Sequence, residues 1–111
     1  ARIARRGTGD VAAIGAGVRL RGDDAAFVNG VASTALELDE GNSYARGHPG
    51  VHVLPAALAT ALANGRSGKD LLSAFVMGYE VAARIGAACA RTVTYHRHHP
   101  HDHAFLETTN A

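Results

Sequence analysis

The chain has 111 residues, 47% of them apolar, which is enough for one folded domain with a modest core and does not indicate disorder. Its 11 Lys and Arg against 10 Asp and Glu leave a formal charge of +1, so the composition favours neither a nucleic-acid-binding nor a membrane-surface protein. No apolar run approaches the roughly 20 residues of a spanning helix, and the single cysteine, Cys89, excludes an internal disulfide and fits a reducing, cytoplasmic compartment.

Small side chains dominate the composition. Ala and Gly fill about a third of the chain, aromatic residues make up 5%, and Trp is absent, so each packed residue buries little area. A core this lean depends on further contacts for its stability. The sequence also begins without Met, in the middle of a pattern, and both features indicate a fragment of a larger protein.

The first half of the chain predicts one helix after an irregular start. The apolar stretch 11–14 lies between glycines and arginines, which indicates extended or irregular structure in residues 1–21. Asp23 and Asp24 offer an N-cap for a helix that continues to Leu36. Its packing face follows from helical spacing and holds Phe27, Val31, Thr34, Ala35 and Leu38.

Two more helices are predicted after a loop at residues 39–50. The second begins near Val53 and ends at Ala63. Ser67 and Asp70 resemble a capping box that opens the third helix, which continues to about Ala90. Because the third helix is apolar nearly all round, we expect it to be buried on more than one side. The predicted fold class is therefore all-α, with about three helices and irregular ends.

The loop carries three carboxylates and then a histidine. Glu37 and Glu40 would share a face if the first helix persisted, whereas Asp39 would point elsewhere. A carboxylate that orients the imidazole of His48 suits proton transfer, although spacing alone favours a solvated helix end followed by a turn. Acidic residues at a helix C-terminus oppose the helix dipole, so their presence requires another reason.

Five of the seven histidines lie between residues 96 and 103. This segment is either an exposed tail that binds transition metals adventitiously, or a source of an acid/base group or a zinc or nickel site. Nothing in it fixes ligand geometry, so we expect no physiological metal. Cys89 is expected to be a small buried residue, Tyr79 a core residue with a bonded hydroxyl, and Glu80 a partner of Arg84.

The order of several short motifs resembles the MmgE/PrpD family, which contains 2-methylcitrate dehydratase, cis-aconitate decarboxylase and iminodisuccinate epimerase. The resemblance extends from about Val11 to Pro100, and each motif is weak alone but specific in this order. The motifs are Ala26–Gly30 (AFVNG), Ala35–Glu40 (ALELDE), Gly47–Gly50 (GHPG), Val53–Ala59 (VLPAALA), Gly78–Val81 (GYEV) and His99–Pro100.

The resemblance implies a homodimeric lyase or isomerase that uses no metal or organic cofactor. Such an enzyme would act on a small polycarboxylate by removing or replacing a proton next to a carboxylate. Residues 1–100 would be part of the helical domain, and residues 101–111 a divergent, irregular tail. As a piece of such an enzyme, the chain is expected to be inactive alone.

The family's site residues match positions in this chain one by one. His48 and His99 correspond to two histidines that serve as acid/base and carboxylate-binding groups. Glu37 and Asp39 match acids that orient an imidazole or the substrate, Glu40 matches a later acid with a substrate-binding role, and Arg46 beside His48 is a candidate for binding a substrate carboxylate.

The acidic motif departs from the family pattern. Glu replaces Asp at Glu37 and Glu40, and Gly41 replaces Thr, while in the second histidine motif His98 replaces Phe. The acidic motif together with residues 44–48 is more similar to the epimerase-like branch than to the dehydratase. Two other classes of function stay open: a non-catalytic helical module that self-associates through Ala/Gly-rich faces, and a metal-binding protein that uses the His-rich tail.

Overall fold

The computed structural model describes the backbone of residues 9–98 and the side chains of residues 9–90. A β-hairpin precedes three helices in this part of the chain. The elements are β1 (Val11–Ala13), β2 (Val18–Leu20), α1 (Gly22–Thr34), α2 (Pro49–Ala63) and α3 (Gly68–His98).

The hairpin corrects the all-α prediction, since the fold is mostly but not purely helical. Strands β1 and β2 pair antiparallel, with Val11 opposite Leu20. Gly15 and Gly17 in the connecting turn have φ angles of 75° and 66°, which glycine adopts without strain. Val11 and Leu20 are fully buried and form the small core together with Ala13, Ala25 and Ala59.

A buried asparagine joins α1 to the hairpin. Asn29 is 7% exposed; its Oδ1 accepts a hydrogen bond from the backbone N–H of Ile14 at 2.8 Å, and its Nδ2 donates to the carbonyl oxygen of Ala12 at 3.2 Å. The prediction of which face of α1 packs is wrong. Phe27 and Val31 are exposed, whereas Ala25 and Asn29 are buried. The helix turns its small residues, rather than its large ones, toward the hairpin.

The start of α1 also differs from the prediction. Arg21 occupies the N-cap position, and Asp23 and Asp24 lie in the first turn. The pKa of the Asp23 carboxyl is lowered, first because the backbone N–H of Asp24 donates a hydrogen bond to it and also because the Arg21 guanidinium lies 3.0 Å away. Both acids remain favourable there because they face the positive end of the helix dipole.

Helix α2 begins one turn earlier than predicted, at Pro49 rather than near Val53. Proline suits the first position of a helix because its φ angle is already helical and its missing N–H would have no intrahelical partner. Pro55 consequently lies inside the helix, not in its first turn. Helix α1 packs on α2 near Gly30, where a Cβ would lie in ordinary contact, 3.6 Å from the carbonyl oxygen of Val51.

The capping box at the start of α3 is confirmed. The backbone N–H and the hydroxyl of Ser67 donate to the carboxylate of Asp70, and the N–H of Asp70 donates back to Ser67 Oγ at 3.2 Å. The helix continues to His98, beyond the predicted end at Ala90. The predicted pair of Glu80 and Arg84 is also confirmed, at 2.7 Å.

Within residues 68–90, helix α3 packs on α2 and on the turn before His48 but leaves much of its apolar surface exposed. A Cβ on Gly78 would approach Val53 Cγ1 to 2.6 Å, which shows how closely α3 packs on α2 there. The expectation of burial on several sides is wrong within the described residues, where α3 exposes large apolar side chains: Leu72, Val76, Met77, Val81 and Ile85.

By length and composition alone, the Gly68–Ala90 part of α3 could cross a membrane, contrary to the sequence expectation. A single helix of this kind is weak evidence, so the finding does not assign α3 to a membrane.

Candidate active site

The candidate site lies in the loop between α1 and α2. Helix α1 ends at Thr34, and Glu37 has a φ angle of 53°, in the left-handed region, so the helix does not persist through the acidic residues. Glu37 and Glu40 therefore do not share a helix face. Within residues 9–90, the exposed side chain of Glu37 makes no hydrogen bond or ion pair.

Asp39 and His48 form the central pair of the site. His48 Nδ1 lies 3.1 Å from Asp39 Oδ2, and the side chain of Asp39 is 6% exposed against 43% for His48. The same nitrogen lies 2.7 Å from the backbone carbonyl oxygen of Glu40. The loop thus brings together two of the residues named from the sequence and surrounds one ring nitrogen with two oxygens.

These two contacts determine where the proton of a neutral His48 ring resides. A carbonyl oxygen and a carboxylate oxygen both accept hydrogen bonds, so Nδ1 must carry the hydrogen. The other ring nitrogen, Nε2, then holds the lone pair and is the basic atom. A neutral imidazole in this tautomer can take up a proton at Nε2 while Asp39 stabilises the resulting charge.

Glu40 explains why acidic residues follow helix α1. Its two carboxylate oxygens each accept a hydrogen bond from the backbone N–H of Gly50 at 3.1 Å, and Oε1 also accepts one from the Tyr79 hydroxyl at 2.9 Å. The carboxylate therefore lies at the N-terminus of α2, where the helix dipole favours negative charge. A Cβ on Gly50 would lie 2.6 Å from Glu40 Oε2, so glycine leaves room for this contact.

A tight turn precedes His48. The backbone groups of Asn42 and Gly47 exchange hydrogen bonds of 2.9 and 3.3 Å, and Asn42 Oδ1 accepts from the N–H of Ala45 at 2.9 Å. Arg46 has a φ angle of 53° in this turn and is exposed. Its side chain makes no hydrogen bond or ion pair to residues 9–90.

A cavity of about 310 Å³ adjoins the pair, between the turn, the start of α2 and the later part of α3. His48 is one of its lining residues. His52 also lines the cavity and was missed from the sequence, because the second helix was predicted to begin near Val53 and so placed His52 in a loop. Cys89 is partly buried at the wall of this cavity, so it is less enclosed than predicted.

The remaining sequence-based assignments fall partly outside the described residues. His99 lies there, so its pairing with His48 stays a prediction, as does the His-rich tail from residue 99 onward. Within the described part of the chain, no group of three or more His, Cys, Asp or Glu is arranged to hold a metal ion.

The described residues thus define a small, mostly helical domain in which a buried carboxylate holds a histidine at the start of a helix. The sequence model of the MmgE/PrpD N-terminal domain family matches residues 2–110, nearly the whole chain. The chain belongs to the MmgE/PrpD family. Comparisons with curated proteins and with solved structures gave no match. The boundary at residue 100 stays a prediction.

Proposed function

We propose that this domain supplies the acid/base histidine of a cytoplasmic, cofactor-independent MmgE/PrpD enzyme that acts on a small polycarboxylate. The reaction removes or replaces a proton on the carbon next to a carboxylate, as a dehydratase of the 2-methylcitrate type or an epimerase of the iminodisuccinate type does. The observation that carries the proposal is the contact of Asp39 Oδ2 with His48 Nδ1 at 3.1 Å.

The proposed step begins with a neutral His48 ring. Nε2 takes the proton from the substrate carbon, and the ring becomes positively charged. The buried carboxylate of Asp39 stabilises that charge through Nδ1–H, and the carbonyl oxygen of Glu40 keeps the ring from rotating. The protonated ring can then return a proton to the carbon or to a leaving group.

Substrate carboxylates require positive charge and hydrogen-bond donors around this ring. We assign one carboxylate to the guanidinium of Arg46, whose planar donors match a carboxylate in bidentate geometry. His99 is proposed as the second imidazole of the pocket, and Glu37 as a group that orients substrate. The remainder of the enzyme and a second subunit of a homo-oligomer would complete the walls of the substrate pocket.

The function is tested by following solvent deuterium into the substrate. In deuterium oxide, a complete enzyme that carries this domain is expected to exchange the hydrogen next to a carboxylate in 2-methylcitrate, cis-aconitate or iminodisuccinate, or to convert one of them. The purified 111-residue chain is expected to show little or no turnover, because it holds part of the pocket only. Proton NMR measures both reactions.

Each arm of this test can fail separately. Turnover by the purified 111-residue chain would overturn the proposed inactivity of the domain alone. A complete enzyme that leaves all three compounds unexchanged and unconverted would overturn the proposed reaction itself.

The exposed side of α3 favours a second candidate, a helical module that self-associates. Val76, Met77 and Ile85 are between 59% and 69% exposed, and contiguous apolar patches of several hundred Å² favour association. The chain is therefore expected to sediment and scatter light as a species larger than a monomer. A monodisperse monomer across the concentrations tested would rule this candidate out.

A further inference from the structure

One hydroxyl group on α3 contacts both segments that hold His48. The Tyr79 hydroxyl donates a hydrogen bond to Glu40 Oε1 at 2.9 Å and accepts one from Asn42 Nδ2 at 3.0 Å. A phenolic hydroxyl has one hydrogen to donate, and here that hydrogen goes to an acceptor-only carboxylate. The two contacts are therefore compatible with each other and together fix the hydroxyl.

The ring of Tyr79 is itself held in place. Phe75 lies one turn earlier on α3 and packs against it edge to face, with ring centroids 5.7 Å apart and an interplanar angle of 70°. Tyr79 is partly buried, whereas Tyr44 in the loop is 64% exposed. The hydroxyl is thus carried by a partly buried ring that packs against Phe75 on α3.

Both hydrogen-bond partners of this hydroxyl belong to segments that orient His48. The backbone carbonyl of Glu40 accepts the hydrogen of His48 Nδ1, and its carboxylate is tied to the start of α2 at Gly50. Asn42 closes the turn whose last residue, Gly47, precedes His48 directly. Movement of either partner would change the position of the oxygen or of the backbone that orients the ring.

We propose that Tyr79 is a positioning residue for His48. Its hydroxyl holds Glu40 and Asn42 so that Nδ1 keeps its hydrogen toward Asp39 and the Glu40 carbonyl, and Nε2 remains the basic atom. In this role the carboxylate of Glu40 is a structural acceptor. The catalytic meaning of Tyr79 rests on the proposed function, whereas its effect on the His48 ring is independent of it.

The test measures the tautomer of His48 by ¹H–¹⁵N NMR of the imidazole in the 111-residue chain. In the unmodified chain, the form with hydrogen on Nδ1 is expected to be the major neutral species. Tyr79→Phe keeps the ring and removes the hydroxyl, so the Nδ1–H form should be lost as the major species. The matched control, Tyr44→Phe, removes an exposed hydroxyl that has no hydrogen bond within residues 9–90 and should leave the spectrum unchanged.

A second variant covers the case in which Tyr79→Phe disturbs folding. Gly50→Ala places a methyl carbon 2.6 Å from Glu40 Oε2, too close for that carboxylate to stay where it is, and leaves the Tyr79 side chain unaltered. The same loss of the Nδ1–H form is expected. An unchanged His48 tautomer in both folded variants would refute the positioning role.

A kinetic readout separates this inference from the proposed function. In a complete enzyme, Tyr79→Phe should lower kcat by up to about 100-fold, with a smaller change in KM, because the base is misplaced rather than removed. A shifted tautomer with unchanged kcat would support the positioning contact and overturn the assignment of His48 as the base. If the tautomer is unchanged in Tyr79→Phe but His48→Asn abolishes activity, His48 is supported as the base and the positioning role of Tyr79 is overturned.

Discussion

Replacing His48 with Asn in a complete enzyme that carries this domain should lower kcat by about 10²–10⁴-fold, the usual contribution of a positioned general base. Asn can still donate a hydrogen bond toward the Glu40 carbonyl and the Asp39 carboxylate, so the loop has a replacement for its lost contact. The amide has no basic nitrogen at neutral pH, however, and cannot take up the substrate proton. The expected loss therefore falls on the chemical step rather than on folding.

Steady-state kinetics on the preferred polycarboxylate measure this loss. The matched control is His103→Asn, the same replacement at a histidine to which the proposed reaction assigns no role, and it should change kcat by less than a factor of about two. Unfolding curves for both variants show that the domain remains folded. A His48→Asn enzyme with more than a tenth of the original kcat would contradict the assignment.

Gly86→Val should lower the free energy of unfolding of the chain by about 1–3 kcal/mol, as overpacking of a tight contact does. A Cβ on Gly86 would lie 2.5 Å from the carbonyl oxygen of Ala45, which belongs to the buried backbone of the turn before His48. Replacing an interior glycine gains less than about 1 kcal/mol of helix propensity, since valine is a weaker helix former than alanine. The clash with backbone therefore outweighs the gain.

Urea unfolding followed by circular dichroism measures the difference. Gly68→Val is the matched control, since it makes the same change in the same helix at a position where a Cβ would meet nothing within 4 Å. Its effect should stay within about 0.5 kcal/mol. Equal stability of the Gly86→Val and Gly68→Val chains would show that α3 does not press on the turn.

The features that could be predicted from the sequence are local ones. The capping box of Ser67 and Asp70 and the pair of Glu80 and Arg84 depend on spacings of three and four residues, which a helix converts directly into contacts. A contact between a loop carboxylate and His48 was one interpretation of the sequence, although spacing alone favoured a solvated helix end and did not decide which carboxylate lies beside the ring.

The features that could not be predicted depend on tertiary packing. Tyr79 and Glu40 are 39 residues apart, and their contact requires α3 to lie across the loop. Helical periodicity gave apolar faces on α1 and α3, but periodicity does not indicate whether anything covers them, and Phe27 and Val76 remain exposed. The stretch 11–14 was interpreted as extended or irregular, but its pairing into a hairpin was missed because the two strands have three residues each, too few for an alternating pattern.

The contact between Glu40 and Gly50 also constrains how an anion can approach the histidine. The N-terminus of a helix ordinarily attracts carboxylates and phosphates through its free N–H groups. At α2 the protein's own carboxylate already occupies that position, so the helix presents a neutralised end to incoming molecules. We therefore expect a negatively charged substrate to be steered toward the turn that bears Arg46 rather than along the α2 axis.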